Sequence, residues 1–299
     1  MNKNVWRLGL IIVVVVAMIV GCSSNNEVAT NEVATDVSEG NTTTDESTYA
    51  DGLYFAIEDE FSEESGFKEA VTLEVKEGVI TTVDWNSVSI NAGMNKKELS
   101  EAGLYPLVEV GGGQAPWHEQ AIKTEAYLLE SQDPSAIQYQ DDNYHTDAIT
   151  GVSIGVSPMF KLAAQALANG PQEPGTYIDG AYHAEDVEFA EQSGFKETVD
   201  ITVMFGNIVS VNWNAIHKDG GDDKKTRSIN GEYGLVENGG AQAPWFEQAR
   251  LSEMHLIESQ DPTAIEYQSD NYHTDAITGV SIGVSPMFKL AEEALKEAK

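Results

Sequence analysis

The residues of this chain best placed to do chemistry are hydroxyls in a loop that occurs twice. His145-Thr146-Asp147-Ala148-Ile149-Thr150-Gly151-Val152-Ser153 recurs as His273 to Ser281, inside a longer stretch in which residues 143–163 repeat letter for letter at 271–291. Each copy offers a carboxylate, three hydroxyls and a glycine. An esterification site needs a hydroxyl on accessible backbone, and a nearby glycine leaves room for another protein's active site to approach. A phosphate ester at such a hydroxyl would be an anion. Ser153 and Ser281 each lie four residues before a Ser-Pro pair, Ser157-Pro158 and Ser285-Pro286, which reads as an N-cap and a first-turn proline. Free N–H groups and the helix dipole favour negative charge at such a point. The same letters also suit a plain turn with a threonine cap.

Other reactive groupings are thin. No serine, histidine and acid grouping recurs outside the motif, which disfavours a hydrolase. His118, His183, His217 and His255 have no counterpart histidine in the other copy, so they predict no paired metal site. Gly111 to Trp117 and Gly239 to Trp245 are glycine-rich leads into helices, without the Gly-x-Gly-x-x-Gly spacing or βαβ context of a dinucleotide site. Cys22 is the only cysteine, which excludes an intrachain disulfide, a thiolate cluster and a cysteine-ligated haem.

The elements around the motif are duplicated with it. A constant offset of 128 maps Asp51-Gly52 onto Asp179-Gly180, Ser65 to Glu69 onto Ser193 to Glu197, Trp85-Asn86 onto Trp213-Asn214, Lys96-Lys97 onto Lys224-Lys225, and Gln114 to Trp117 onto Gln242 to Trp245. Two copies are too few for a solenoid, and each is long enough to bury its own core. Strand patterns are expected at Leu53–Ile57, at Ala70–Val75 with period-2 alternation, and at Val79–Trp85, with hairpin turns at Lys76-Glu77-Gly78 and Phe205-Gly206-Asn207. Helices are expected from Pro116 and Pro244 to about Gln132 and Gln260, and again after Pro158 and Pro286. The expected class is α+β: two tandem domains, 49–168 and 176–299, each an antiparallel sheet with packed helices. The proline-bearing stretch 169–175 reads as a semi-stiff spacer.

The N-terminus reads as a targeting segment. Lys3 and Arg7 precede the apolar run Leu8 to Val20, too short for the ~20 residues of a spanning helix. Residues 1–21 are therefore expected to be a signal peptide. Ile19-Val20-Gly21-Cys22 resembles a lipobox, with Cys22 as the lipidated residue and the chain anchored on the outer side of the cytoplasmic membrane. Residues 22–48 are polar and repetitive and read as a tether, with an r.m.s. reach of roughly 28 Å by random-coil scaling. Net charge is −32, and loss of Lys3 and Arg7 with the signal makes it −34. That balance argues against nucleic acid as a partner and fits an exposed, soluble surface.

Strands, a helix, Asp-Ala-Ile-Thr-Gly-Val-Ser and a closing helix together resemble the FMN-binding domain. That domain occurs in respiratory subunits and in flavin lipoproteins of extracellular electron transfer, including those whose signal peptide yields a pheromone. The resemblance spans residues 51–167 and 179–295. Its pattern, Asp-x-x-Ser/Thr-Gly-Ala-Ser/Thr, is met except that Val152 and Val280 stand where alanine is usual. The resemblance implies that a flavin transferase moves FMN from FAD onto the last hydroxyl as a phosphoester. The acceptors would be Ser153 and Ser281, flanked by Asp147, Thr150, Gly151 and Asp275, Thr278, Gly279. It further implies two covalent FMN groups, a membrane quinone-linked electron donor, and extracellular acceptors such as free flavin or ferric iron. Such a chain would be an electron carrier, or a ferric reductase component, with no catalytic residue or metal of its own. The alternative from another class is an acidic cell-surface binding or adhesion module without redox activity, its signal peptide supplying a signalling fragment.

Overall fold

A computed structural model describes residues 49–268 and 272–299. The expected signal peptide, Cys22 and tether lie outside the described residues. The fold is α+β, with two antiparallel three-stranded sheets and six helices among the described residues. The first half runs β1 (Gly52–Ile57), β2 (Phe67–Lys76), β3 (Val79–Ser89), α1 (Lys96–Glu101), α2 (Trp117–Ser131) and α3 (Ser157–Asn169). The second repeats it as β4 (Gly180–Glu185), β5 (Phe195–Met204), β6 (Asn207–His217), α4 (Lys224–Ile229), α5 (Trp245–Ser259) and α6 (Ser285–Ala294), followed by a 3-10 turn, Leu295–Ala298.

Alternation in β2 sends Val71, Leu73 and Val75 to the helical side of the sheet. In β3 the apolar residues Ile80 and Val83 are three apart and would face opposite ways. A bulge corrects this: Val75 pairs with Ile80 and Glu74 with Thr82, so Thr81 is skipped and both side chains reach the core. Trp117, Ala121 and Leu128 of α2, with Met159, Phe160 and Ala163 of α3, close that core. The second half builds the same core from the equivalent residues. Each hairpin turns through two residues with positive φ, Glu77-Gly78 and Phe205-Gly206, the pattern of a type I′ turn.

Helix ends depart from expectation by one position. Pro116 and Pro244 are the N-caps of α2 and α5 rather than first-turn residues. Ser157 and Ser285 lie inside α3 and α6; Val156 and Val284 occupy the N-caps, and no side chain caps either helix. Gln132 and Gln260 end α2 and α5 in the left-handed region. Their side chains then bind both backbone groups of Ile80 and Ile208, tying each helix end to the sheet.

The segment between the halves is bound to both. Gln172 donates its backbone N–H to Leu53 O (2.7 Å) and its side-chain N–H to Phe55 O (3.0 Å), covering the open edge of β1. Gly175 N–H donates to Phe205 O. The β5–β6 hairpin then packs on the outer face of the first sheet: Phe205 stacks on Phe55 with centroids 4.9 Å apart, and Met204 and Val209 join Ala70 and Val88. Ser210 Oγ donates to Ser89 O and Thr202 Oγ1 to Gly93 O.

Candidate functional site

The repeated loop is held from below by buried anchors. Ile149 and Ile277 insert into the two cores. Thr146 is buried, donates its hydroxyl to Gln138 O (2.7 Å) and accepts the Ala148 N–H; Thr274 makes the matching pair with Glu266 O and Ala276. Val152 N–H then returns to Ile149 O, closing a β-turn with Gly151 at φ 78° in its third position; Gly279, at φ 85°, does the same. A β-carbon on Gly155 would fall 2.6 Å from Asn143 O, so the loop passes its own backbone too closely for any other residue.

Ser153 follows that turn and is fixed through its backbone. Its N–H donates to Gln120 Oε1 at 2.6 Å, and its Oγ lies 3.3 Å from the same oxygen. Ser281 meets Gln248 Oε1 at 2.7 and 3.2 Å. Both glutamines are 0 % exposed, and their amide N–H groups donate to Ala115 O and Ala243 O. Among the described residues each serine hydroxyl donates to the glutamine oxygen and accepts from no donor. Ser153 is half-buried and Ser281 exposed. Val152 and Val280, where the resembled pattern has alanine, pack against the two cores.

Thr150, Gly151 and Ser153 share one turn, as Thr278, Gly279 and Ser281 do, and both threonines are exposed. Asp147 is exposed and lines a cavity of about 450 Å³ with Tyr127, Gln138 and Tyr139. Asp275 is exposed and accepts from the Gln268 amide. His145 turns away to Asp141, Nδ1 to Oδ2 2.7 Å, and closes the preceding turn; that bond holds the Asp141 carboxyl below its ordinary pKa. One difference separates the two loops. Lys123 Nζ lies 3.4 Å from Gly151 O, whereas Leu251 occupies the equivalent place beside Gly279.

The glutamines escaped the sequence reading, although Gln120 and Gln248 stand at the same offset as everything else. So did a buried ionic lattice that ties α1 and α2 to the sheet. Trp85 Nε1 donates to Glu69 and Trp85 N–H to Glu125, at 2.8 and 2.7 Å. Lys96 pairs with Glu69 and Lys97 with Glu125, and the second half repeats all four contacts. Lys96 Nζ also lies 4.8 Å from the centroid of Trp117, which is 3 % exposed and packs edge-on to Trp85. Trp117 and Trp245 are thus core residues. Burial raises the carboxyl pKa of Glu69 and Glu125, with Lys96 and Lys97 opposing it.

No protein-family model matches the chain, and no curated protein does. A Clostridium thermocellum protein solved by NMR is 58% identical, covering 40% of this chain and 90% of its own, with a TM-score of 0.33. A Clostridium perfringens protein solved by crystallography is 27% identical, covering 41% of this chain and 88% of its own, with a TM-score of 0.32.

Proposed function

We propose that the protein is an extracytoplasmic, lipid-anchored electron carrier bearing two FMN groups esterified to Ser153 and Ser281. The observation that carries this reading is the duplicated serine: a hydroxyl after a glycine turn, its backbone locked by a buried glutamine, its oxygen open to a reagent. Both copies present this arrangement.

The residues fit such a group. A transferase would bring FAD; Ser Oγ would displace AMP from the FMN phosphorus and lose its proton, leaving a phosphodiester on the protein. Gln120 and Gln248 orient the serine backbone for that attack. Lys123 supplies a cation beside the first anionic ester, and the side-chain-free helix starts of α3 and α6 leave N–H groups available to anions. The isoalloxazine, once attached, supplies the redox chemistry, while the protein holds it and sets its surroundings. A quinone-linked membrane donor and acceptors such as free flavin or ferric iron complete the scheme. Among the described residues no helix is long and apolar enough to cross a membrane; the anchor in this reading is the lipid on Cys22, as the lipobox resemblance implies.

Intact mass after co-expression with a flavin transferase tests this directly. Two FMN adducts are expected on the wild-type chain, and none on Ser153→Ala plus Ser281→Ala. A wild-type mass accounted for by polypeptide and lipid alone refutes the flavoprotein reading and returns the acidic adhesion module.

A further inference from the structure

The two sheets treat the same edge differently. On the outer side of β1, Gln172 donates its backbone N–H to Leu53 O and its side-chain N–H to Phe55 O. Pro171 lies so close to Gly52 that a β-carbon there would fall 2.7 Å from the proline Cβ. β4 repeats this strand, with Gly180, Ala181 and His183 in the places of Gly52, Leu53 and Phe55, and it too is an edge. Among the described residues no segment outside the sheet donates to Ala181 O or His183 O. A β-carbon on Gly180 would have the Tyr182 hydroxyl as its nearest neighbour, at 3.5 Å. Ala181 and His183 are exposed, whereas Leu53 is half-buried and Phe55 buried. Unpaired groups along an edge are a template for another extended segment.

Charge selects the occupant. At the end of β4, Glu185 and Asp186 line a cavity of about 500 Å³ with Lys289 and Glu293 of α6. Three carboxylates against one ammonium leave it negative. A second copy of the chain would bring its own net charge of −32 to this edge, and residues 22–48 hold six carboxylates and no lysine or arginine. We propose that the outer edge of β4 binds an extended, basic peptide segment of a partner protein. It adds to the strand as residues 171–172 do in the first half: a proline against Gly180, the next residue's N–H on Ala181 O and its side-chain amide on His183 O. Lysine or arginine beyond these reaches the carboxylates of the cavity. The exposed side chains of Ile178 and Val187 flank the strand and offer apolar contact at either end. One site per chain is expected, because Pro171 and Gln172 already cover the first edge.

The test is a calorimetric titration of the full chain with the synthetic peptide Asn-Gly-Pro-Gln-Lys-Pro-Lys, a basic version of residues 169–175. Saturable one-to-one binding is expected, weakened as salt is raised. The peptide with the sequence of residues 169–175 itself, which has glutamate and glycine in place of the lysines, should bind at least tenfold more weakly. Ala181→Pro sets a ring on the outward side of the strand, where an edge tolerates it, and should abolish binding. Glu293→Lys, on the exposed surface of α6, should weaken the basic peptide at least threefold and narrow its advantage over the acidic one. Loss of folding in one variant therefore leaves the other decisive. No saturable binding of the basic peptide, equal binding of the two peptides, or binding that neither variant changes overturns the proposal. So does a dimer in sedimentation that Ala181→Pro dissolves, since a second copy would then hold the edge.

Discussion

Replacing Gln120 isolates the contact on which the serine geometry depends. Gln120→Ala removes the acceptor of the Ser153 N–H and the donor to Ala115 O. Each orphaned backbone group costs roughly 1–3 kcal/mol, about 2–6 kcal/mol together. Ser153 is half-buried, so water can recover part of its share, which leaves about 2–3 kcal/mol. That loss falls on the loop rather than on the core, because Ile149 and Thr146 anchor it independently. Hydrogen exchange at the Ser153 amide should therefore accelerate about 30- to 150-fold, at tenfold per 1.4 kcal/mol. The Ser281 amide, held by Gln248, serves as an internal standard within the same molecule. Gln120→Met keeps most of the volume without the polar atoms and should give the same acceleration, separating hydrogen bonding from packing. Modification of Ser153 by the transferase should slow in parallel while that of Ser281 does not. Unchanged exchange at Ser153 together with unchanged modification would refute the positioning argument.

Three further outcomes follow from the same geometry. Phe205→Glu, the residue that the first half has at 77, loses the Phe55 stack and should weaken contact between the halves by about 3 kcal/mol, splitting the calorimetric melt into two transitions. Burial raises the Glu125 pKa in the folded state, so the folded protein holds that proton more tightly than the unfolded chain. The stability contributed by this group is present below the ordinary carboxylate pKa and declines as pH rises through the folded value; Glu125→Gln should remove that slope from urea titrations run across the range. Lys123→Leu, which copies position 251, should slow modification of Ser153 about two- to fivefold and leave Ser281 unaffected, as adduct kinetics by mass spectrometry would show.

The pattern of drift between the copies has a physical cause that the halves' packing reveals. Phe55, Ala70 and Val88 form the covered face of the first sheet, and the second half carries His183, Thr198 and Ile216 in their places. Met204, Phe205 and Val209 form the hairpin that covers it, and the first half carries Lys76, Glu77 and Thr81 there. The contact is head-to-tail, so each copy buries a different surface and leaves the other more polar, with only Ile216 apolar among the six uncovered equivalents. Strand positions diverged because their two environments differ. The serine loop did not, because both copies seat it on the same glutamine and the same core.

Periodicity, turn residues and the offset of 128 determined the class, the strands, the hairpin turns and the duplication, since these follow from local preference and from which side chains must leave water. The motif itself could be read in the letters, and with it the acceptor serines as an expectation. Gln120 and Gln248 could not be, because a buried glutamine in a helix carries no signature until the loop 33 residues further on is folded over it. The same holds for the linker, where Gln172 binds Leu53 and Phe55 more than a hundred residues away. Only tertiary packing decides which distant polar atoms find one another.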